Sequence, residues 1–594
     1  MKKIIYGLAL AAVTLASCSD FLDKEPSNKL DAGKFFANES ELALYANGLY
    51  VDMIPSAEDL TNSGSGTCDY LATSTTSSLL MPDFNADKMS GWTYSAWTNL
   101  YRCNYFLKNI DKAAATTDVA TLNHYRGVAK FWRAYFYFDK VKTYGNLPWY
   151  SEPIDAGDGI QLYKERDSRE VIMDSVLQDI NYACKYIRGG KDELVSRYAA
   201  LALKSRICLF EGTYRKYHAV NPSTNQPWQE TDGVRKYLQA CVDASEELMK
   251  SGEYSLVNTG KPATDYRSLF QSEKPNTTEI IMAREYSADL QSTHNVTQKF
   301  NSAGNDTRRW SPTQDFVNTY LNLDGSRFTD ATDYDKKTFA ENCTNRDYRL
   351  QQSVITPTYI KNMNGTPSRY NATWSVTMTG YQVIKFNMDD TYYEQTSRCS
   401  NAIPIFRYAE ILLNEAEAKA ELGEMDENVW DKTIRPIRER AGVNGKAPAT
   451  ADPYLISYYN NKVTDKWLLE IRRERAIELF FEGGGLRYDD LMRWAEGDML
   501  MKPWNSIYIG SKDVAYDTNG DGVKDLEVVD KKPSSTPSGV FLVDLSKSNY
   551  YTFKDGRLYI TNENSWTDRK YLHPIPKAAL VKNPNLKQNY GWEQ

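Results

Sequence analysis

The segment "DKWLLEIRRERAIELFFEGGG", from Asp465 to Gly485, is predicted to form a helix that ends in a run of three glycines. Leu469, Ala476 and Phe480 recur at helical spacing and share one face, as in a helix that packs against a neighbour. The glycine run follows a helix rather than a strand, and no Gly-Lys-Ser/Thr completes a phosphate-binding loop. We therefore predict a turn at the end of a packed helix.

The same segment is rich in charge, with cations and carboxylates close together: Arg472, Arg473, Glu474, Arg475 and Glu478. One interpretation is an anion-binding site. The other, which we favour, is that these side chains form salt bridges and helix caps inside a helical scaffold.

Helical patterns also occupy other parts of the chain. "TLNHYRGVAKFWRAYFYFDKVKTYGNLPWY" is apolar on most sides and is predicted to be a buried helix that stops at Gly145. Ser168 opens "SREVIMDSVLQDINYACKYI" as an N-cap, and Gly423 closes "AIPIFRYAEILLNEAEAKAELG" as a C-cap. Ala416 and Ala420 form a ridge that lets another helix approach closely. Such pairs loosely resemble tetratricopeptide units, although no clean 34-residue period is present.

The fold is therefore predicted to be mainly α, with a tetratricopeptide-like helical scaffold at about residues 30–260 and 400–500. From about 262 to 400, polar residues dominate, which predicts a loop-rich lobe where "TEIIMAREY" and "GYQVIKF" are short strands. Long loops inside a compact domain are usually functional, so this lobe is expected to hold ligand. A C-terminal loop region covers about 503–594, and residues 18–594 are expected to form one domain.

Composition excludes some classes of function. The 594 residues carry a formal net charge of −7 and a pI of about 5.5, which argues against a nucleic-acid partner. The four histidines are far apart and no HExxH occurs, so a sequence-local histidine metal site is not expected. Aromatic residues reach 13%, and such a surplus of rings suggests an aromatic binding surface.

The N-terminus has the pattern of a lipoprotein signal peptide. Lys2 and Lys3 precede an apolar run at 4–16 that is shorter than the roughly 20 residues of a spanning helix. "LASC" then resembles a bacterial lipobox, so residues 1–17 are expected to be removed and Cys18 to be acylated. Acidic residues follow and resemble a surface-export tag of some Gram-negative lipoproteins: Asp20, Asp23 and Glu25.

A second local motif, "DTNGDGVKD", matches the start of an EF-hand-like calcium loop. Its oxygen ligands would be, in order, Asp517, Asn519, Asp521, the carbonyl of Val523, and Asp525. Alternate hard oxygen donors with a glycine at the bend suit calcium. Position 12, normally a bidentate glutamate, is Val528, with Glu527 or Asp530 as the candidate substitutes. The alternative is a plain turn with solvated carboxylates.

Taken in order along the chain, several segments resemble the SusD/RagB family of outer-membrane nutrient-binding lipoproteins. They are "CSDFLDKEPSNKL", "AKFWRAYFYFDKVKTYGNLPWYSEPI", "NLDGSRF", "NRDYRL", "IFRYAEILLNEAEAKAELG", "IRPIRERAG", "RRERAIELFFEGGGLRYDDLMRW" and "YLHPIPKAALVKNPNLKQNYGW". The resemblance covers nearly the whole chain. One departure is a longer glycine run between Glu482 and Arg487, which leaves the local turn open.

The resemblance implies a lipid-anchored protein of the outer-membrane surface that captures oligosaccharides and passes them to a SusC-like TonB-dependent transporter. It implies no enzymatic activity. Within the same fold, a peptide or another non-sugar nutrient is the alternative ligand. From another class, a surface glycoside hydrolase is the alternative function.

The resemblance places the sugar site in two regions but does not say which ring does what. The early region contains Asp69, Tyr70 and Trp92, with Tyr94, Trp97 and Asn99 nearby. The middle lobe contributes "NDTRRWSP" and "YNATWSV", with Arg308, Trp310 and Trp374. We expect Trp92 and Trp310 to stack on the ligand, Tyr70 and Trp374 to add to this platform, and Asp69 and Arg308 to donate or accept hydrogen bonds. For each ring, packing in the core is the alternative.

The lipid anchor is tested by Cys18→Ala, because without the thiol no acyl chain can be attached. We expect the variant to leave the membrane fraction when the partner transporter is absent. Membrane partitioning equal to that of the unchanged protein would contradict the lipoprotein assignment. A matched variant with Asp20, Asp23 and Glu25 neutralised should keep the lipid but lose protease accessibility on intact cells.

Overall fold

The computed structural model describes residues 35–61, 68–75, 77–155, 157–301, 309–535, 537–548, 550–561 and 564–593. The predicted signal peptide, Cys18 and the acidic residues after it lie outside the described residues.

Helices account for most of the regular structure. The N-terminal set comprises α1 (Glu39–Met53), α2 (Ala57–Leu60), α3 (Thr98–Asn109), α4 (Val119–Tyr144), α5 (Gly159–Leu162), α6 (Arg169–Tyr186), α7 (Arg197–Tyr217) and α8 (Gly233–Ser251). The middle set comprises α9 (Asp265–Ser268), α10 (Val296–Asn301), α11 (Gln314–Val317), α12 (Phe339–Cys343) and α13 (Tyr348–Ser353). The last set comprises α14 (Tyr408–Leu422), α15 (Glu427–Arg440), α16 (Pro453–Tyr458), α17 (Lys466–Glu478), α18 (Leu486–Arg493) and α19 (Lys577–Lys582).

The strands are short and form small sheets. They are β1 (Leu71–Ala72), β2 (Ile280–Arg284), β3 (Ser311–Pro312), β4 (Ile360–Met363), β5 (Thr366–Arg369), β6 (Ile403–Arg407), β7 (Trp504–Asn505), β8 (Ala515–Tyr516), β9 (Leu526–Val529), β10 (Phe541–Asp544), β11 (Tyr551–Lys554) and β12 (Arg557–Ile560). The sheet orders are β1-β3, β2-β6, β4-β5, β10-β9-β8 and β11-β12-β7.

The predicted helix boundaries are confirmed where a cap residue marks them. The Ser168 hydroxyl accepts the Val171 N–H at the start of α6. Gly145 ends α4 with φ of +72°, and Gly423 ends α14 in the left-handed conformation. Positive φ is strained for side chains that carry a Cβ, which is why glycine occupies both ends.

The scaffold consists of helices that pack in pairs, some close together in the sequence and some far apart. α4 packs on α6, α6 on α7, α7 on α8, and α8 on α14, which in turn contacts α15 and α17. Gly212 lets α7 and α8 approach closely, because a Cβ there would lie 2.8 Å from Leu238. The mainly helical fold class predicted from the sequence is confirmed.

One predicted strand is wrong. "TEIIMAREY" contains β2, but residues 380–386, "GYQVIKF", form only an isolated bridge between Val383 and Val354. The hydrophobic pattern does not identify a strand here, because every residue from Tyr381 to Phe386 is buried. The segment crosses the core as irregular chain. Since neither side of it faces solvent, the alternation of apolar and polar residues cannot identify a strand.

A network of buried ions, here called the central charge network, joins the loop-rich lobe to the scaffold. The Glu478 carboxylate, at the end of α17, accepts from Arg407 (2.6 Å), Arg349 (3.0 Å) and Arg440. Glu279 pairs with both Arg407 and Arg440. Each of these five side chains is at most 1% exposed. The predicted salt bridges within the scaffold are therefore confirmed for this segment.

One apolar core cluster runs through the helical scaffold and the loop-rich lobe, from Phe36, just before α1, to Leu586 near the C-terminus. Rings of the loop-rich lobe, such as Phe316 and Phe386, belong to the same cluster as Phe480 next to α17. Among the helices that the structure describes, none combines the length and the apolar character needed to cross a membrane.

The central charge network predicts a large effect of Glu478→Ala. Removal of this carboxylate leaves buried guanidinium groups without their partner, and breaking such a buried pair costs about 3–5 kcal/mol of unfolding free energy. Urea unfolding at pH 7 measures it. The control is Asp498→Ala, whose half-exposed pair with Lys462 (2.6 Å) is expected to contribute about 0–1 kcal/mol. Equal small losses in both variants would contradict the role of the network.

The same residue gives the pH dependence a sign. Burial opposes the charged form of Glu478, but Arg440, Arg407 and Arg349 outweigh burial and hold its pKa well below 4.5. A carboxylate whose pKa is lower in the folded state than in the unfolded state stabilises the fold at pH values above its unfolded-state pKa. This stabilisation is lost as the pH falls from the unfolded-state pKa through the folded-state pKa. Urea unfolding at a series of pH values should show that the free energy of unfolding decreases towards acidic pH. This decrease should be smaller in Glu478→Ala than in the unchanged protein.

Candidate functional site

The first wall of the candidate site is Trp92, held by the end of α4. The Tyr144 hydroxyl donates to the Ser90 carbonyl (3.2 Å), and the Tyr144 ring lies edge-on to the Trp92 indole at 5.0 Å. Gly91 between them has φ of +95°, and a Cβ at this residue would lie 3.4 Å from the Tyr144 hydroxyl. Trp92, which follows Gly91 and packs against Tyr144, is half-buried.

Trp97 forms the second wall, directly before α3. Its ring centroid lies 5.3 Å from Trp92, 5.7 Å from Phe136 and 6.0 Å from Tyr150. These neighbours support the indole while leaving it half-buried. A ring held in this way loses little conformational freedom when a ligand stacks on it.

Together these rings enclose a cavity of about 370 Å³, here called the aromatic groove. Its aromatic side chains are Trp92, Tyr94, Trp97, Tyr101 and Tyr150. Three distant parts of the sequence contribute: residues 92–104, residues 148–162 and the C-terminal residues 579–586. The volume lies within the roughly 300–1,000 Å³ of small-molecule sites.

The electrostatic character of the groove is close to neutral. Its charged lining residues are one carboxylate, Glu152, and one amine, Lys582. Burial raises the pKa of Tyr150 to about 12, and burial also raises the pKa of Tyr101. Both phenols therefore stay protonated and uncharged at neutral pH. Tyr94 is 88% exposed, so its hydroxyl is open to a ligand.

Of the residues proposed from sequence, Trp92 lies in the groove and Asp69 does not. The Asp69 carboxylate accepts from Arg487 through Nε (2.8 Å) and Nη2 (2.7 Å) and from the Tyr458 hydroxyl (2.9 Å). Asp69 is 4% exposed. It is thus a buried ion-pair partner, and its predicted role at the rim of a sugar site is wrong.

Three predicted rings are core residues. Tyr70 stacks on Phe316 at 4.6 Å, and Trp310 lies edge-on to Phe481 at 6.1 Å. The Trp374 indole N–H donates to the Thr518 hydroxyl at 2.8 Å. All three are at most 4% exposed, so they cannot form an exposed platform.

The structure does bring the two predicted regions together, but it turns the rings inward. Leu71 pairs with Pro312 and Ala72 with Ser311 in the β1-β3 ladder. Tyr70 and Trp310 flank this ladder and pack into the core from there. Arg308 lies outside the described residues.

Other groove residues had weaker signals in the sequence. Tyr94 and Trp97 are sequence neighbours of Trp92, and Tyr150 lies in the segment "NLPWYSEPI" that carries the family resemblance. Ala579 and Leu586 also lie in a segment that resembles the family, but no local pattern places them in the groove, because their position there depends on a contact with residues more than 400 positions earlier.

Comparison with known protein families identifies the family of this chain. Residues 278–592, more than half of it, match the model of the SusD family. The chain belongs to the SusD family. Residues 38–218 also match a family model described as starch-binding associating with outer membrane.

Individual relatives are distant. A SusD-like protein of Formosa agariphila is 26% identical over 413 residues, which cover 64% of this chain and 69% of that protein. A second SusD-like protein of the same organism is 23% identical over 297 residues, which cover 46% of this chain and 50% of that protein. A crystal structure of a SusD-like protein from Bacteroides fragilis is 21% identical, covers 95% of this chain and 98% of that one, and has a TM-score of 0.67. A surface glycan-binding protein of Bacteroides fluxus is 18% identical, covers 93% and 100%, and has a TM-score of 0.55.

The proposed calcium loop of this SusD family member is held by its own hydrogen bonds. The Asp517 carboxylate accepts the N–H groups of Gly520 and Gly522, both at 2.7 Å. Asp525 accepts from the Thr518 hydroxyl (2.6 Å) and from the Asn519 amide (2.5 Å). Within the described part of the chain, no group of three or more His, Cys, Asp or Glu side chains is placed to hold a metal.

Calcium binding by this loop therefore remains a prediction. We expect a dissociation constant on the order of 10⁻⁴ to 10⁻³ M, as in weak extracellular modules, because position 12 lacks its glutamate. Calorimetry with CaCl₂ measures it, and Asp521→Ala should abolish the heat. The absence of binding, or equal binding by Asp521→Ala, would contradict the site.

Proposed function

We propose that this protein is a surface-exposed outer-membrane lipoprotein that binds a glycan in the aromatic groove and passes it to a SusC-like TonB-dependent transporter. The observation that carries the proposal is a solvent-open groove with walls made by Trp92, Trp97 and Tyr150. Among solved structures of the same fold, one is described as carbohydrate-binding and another as glycan-binding.

The groove suits the chemistry of a neutral sugar. The C–H faces of a sugar ring stack on aromatic rings, and its hydroxyl groups need polar partners at the edge. Trp92 and Trp97 supply the faces, while Tyr94, Tyr101 and Thr98 bring hydroxyl groups to the lining. With about 40 Å² of apolar surface buried per ring, each ring contributes about 1 kcal/mol.

The composition of the groove supports binding without cleavage. Canonical glycoside hydrolysis uses two carboxyl groups, about 5–9.5 Å apart, on either side of the scissile bond. Glu152 is the single carboxylate among the residues that line the aromatic groove. We therefore propose a non-catalytic role, with the surface glycoside hydrolase as the rejected alternative.

Anchoring and delivery complete the proposal. The lipobox-like segment before Cys18 supports a lipid anchor, and the description of the family model that matches residues 38–218 supports an outer-membrane location. An affinity on the order of 10 μM to 1 mM suits a protein that must release its ligand to a transporter.

The aromatic groove predicts the effect of two substitutions. Trp92→Ala and Trp97→Ala should each weaken binding of the best ligand from a polysaccharide panel several-fold to beyond detection, because each removes one stacking face. Calorimetry measures the affinity, and a reducing-end assay should show no turnover. New reducing ends would contradict the binding-only role.

Two control variants separate the groove from other surfaces. Tyr392→Ala removes a ring that is 48% exposed and does not line the groove, so its affinity should be unchanged. Trp374→Ala removes a core ring and should lower stability by about 3–5 kcal/mol. Unchanged sugar affinity in both groove variants would show that the glycan site lies elsewhere.

A further inference from the structure

Part of the lining of the aromatic groove is aliphatic rather than aromatic. Leu100, Ala579 and Leu586 line the groove and are 3%, 5% and 4% exposed, and the buried Pro148 lines it as well. Ile154 is half-buried on the same lining. We call these five residues the apolar floor.

The two buried side-chain amides that line the groove together with the apolar floor have no N–H group left for a ligand. Asn104 donates to the carbonyls of Tyr150 (2.9 Å) and Glu152 (3.2 Å), and its own oxygen accepts from Arg133. Both protons of its amide are therefore used within the protein.

Asn583, on the C-terminal side of the groove, is engaged in the same way. Its amide donates to the carbonyls of Leu162 (3.4 Å) and Lys164 (3.0 Å), and its oxygen accepts the Asn585 N–H (3.0 Å). Asn583 is 8% exposed. The two buried amides thus shape the groove but do not donate to its contents.

A sugar hydroxyl pressed onto the apolar floor would lose its water without gaining a donor, which is unfavourable. A methyl group at the same place loses no hydrogen bond and buries apolar surface. The hydroxyl groups of the ligand find partners instead near the open side, where Tyr94 is exposed and Glu152 and Lys582 lie at the solvent surface.

We infer that the glycan bound in the aromatic groove carries a methyl group on the sugar unit that enters it, either in an acetyl substituent or as the methyl of a 6-deoxy sugar. This inference rests on the proposed function, since it names the class of glycan that the same groove takes. The methyl group contacts the apolar floor while the ring stacks on Trp97.

The experiment compares neutral oligosaccharides that differ in the methyl group. N-acetylchitotetraose is compared with cellotetraose, acetylated xylotetraose with xylotetraose, and a D-rhamnose oligosaccharide with the D-mannose oligosaccharide of the same linkage. At least one methyl-bearing member should bind about tenfold or more tighter than its partner, as expected for a methyl-sized group in an apolar pocket. The first two pairs report on acetyl groups and the third on a deoxy methyl.

A matched pair of variants locates the effect. Ile154→Thr places a hydroxyl on the apolar floor and should reduce the methyl preference several-fold while both sugars still bind. Ile360→Thr makes the same substitution at a side chain that is 53% exposed and outside the groove, and should leave the preference unchanged.

The outcomes separate the two claims. If unmodified oligosaccharides bind as tightly as their methyl-bearing partners, the inference is overturned and the proposed function stands. If the preference survives in Ile154→Thr, the methyl group binds elsewhere and the inference is also overturned. If no member of any pair binds, the inference is overturned, and the proposed function falls as well if nothing in the polysaccharide panel binds.

Discussion

The end of helix α17 is the constraint on which the rest of the structure depends. A helix leaves its last carbonyls without partners, and these need donors when the end is buried. Here Arg407 donates to the Glu478 carbonyl at 2.6 Å, the Tyr266 hydroxyl donates to it at 2.7 Å, and Lys385 donates to the Phe480 carbonyl at 2.6 Å. The donors come from the loop-rich lobe and the strand after it, so the helix cannot end in the core unless the lobe is in place.

Charge in this region works together with the hydrogen bonds. Burial lowers the pKa of Lys385 to about 8, and Glu482, at 2.5 Å, opposes that shift. Cations at a helix C-terminus also interact favourably with the helix dipole. The buried charges of Glu478, Glu279 and Glu482 are thus matched by cations from both parts of the chain, which lets an irregular lobe share one apolar core with a helical scaffold.

The sequence predicts local features better than it predicts which rings face solvent. Ser168 and Gly423 cap helices as expected, because capping depends on a few adjacent residues. Trp92 and Trp310 look alike in sequence, since both lie in polar, loop-like stretches. What separates them is the pairing of β1 with β3, which carries Trp310 into the core. Such long-range pairing leaves no local trace.

The abundance of aromatic residues is therefore a poor guide to the binding surface. Trp132, Trp430 and Trp494 are fully buried, so much of the surplus serves the core. Trp92 and Trp97 differ because they lie just before α3, where Gly91 has the positive φ that precedes Trp92, and because the partners that support them do not cover them. A ring of this kind is recognised by incomplete burial beside a cavity, not by its residue type. The aliphatic side chains of the apolar floor meet a different criterion: Leu100, Ala579 and Leu586 are only 3–5% exposed, yet they line the cavity. This lining connects the architecture of the site to the chemistry of its ligand.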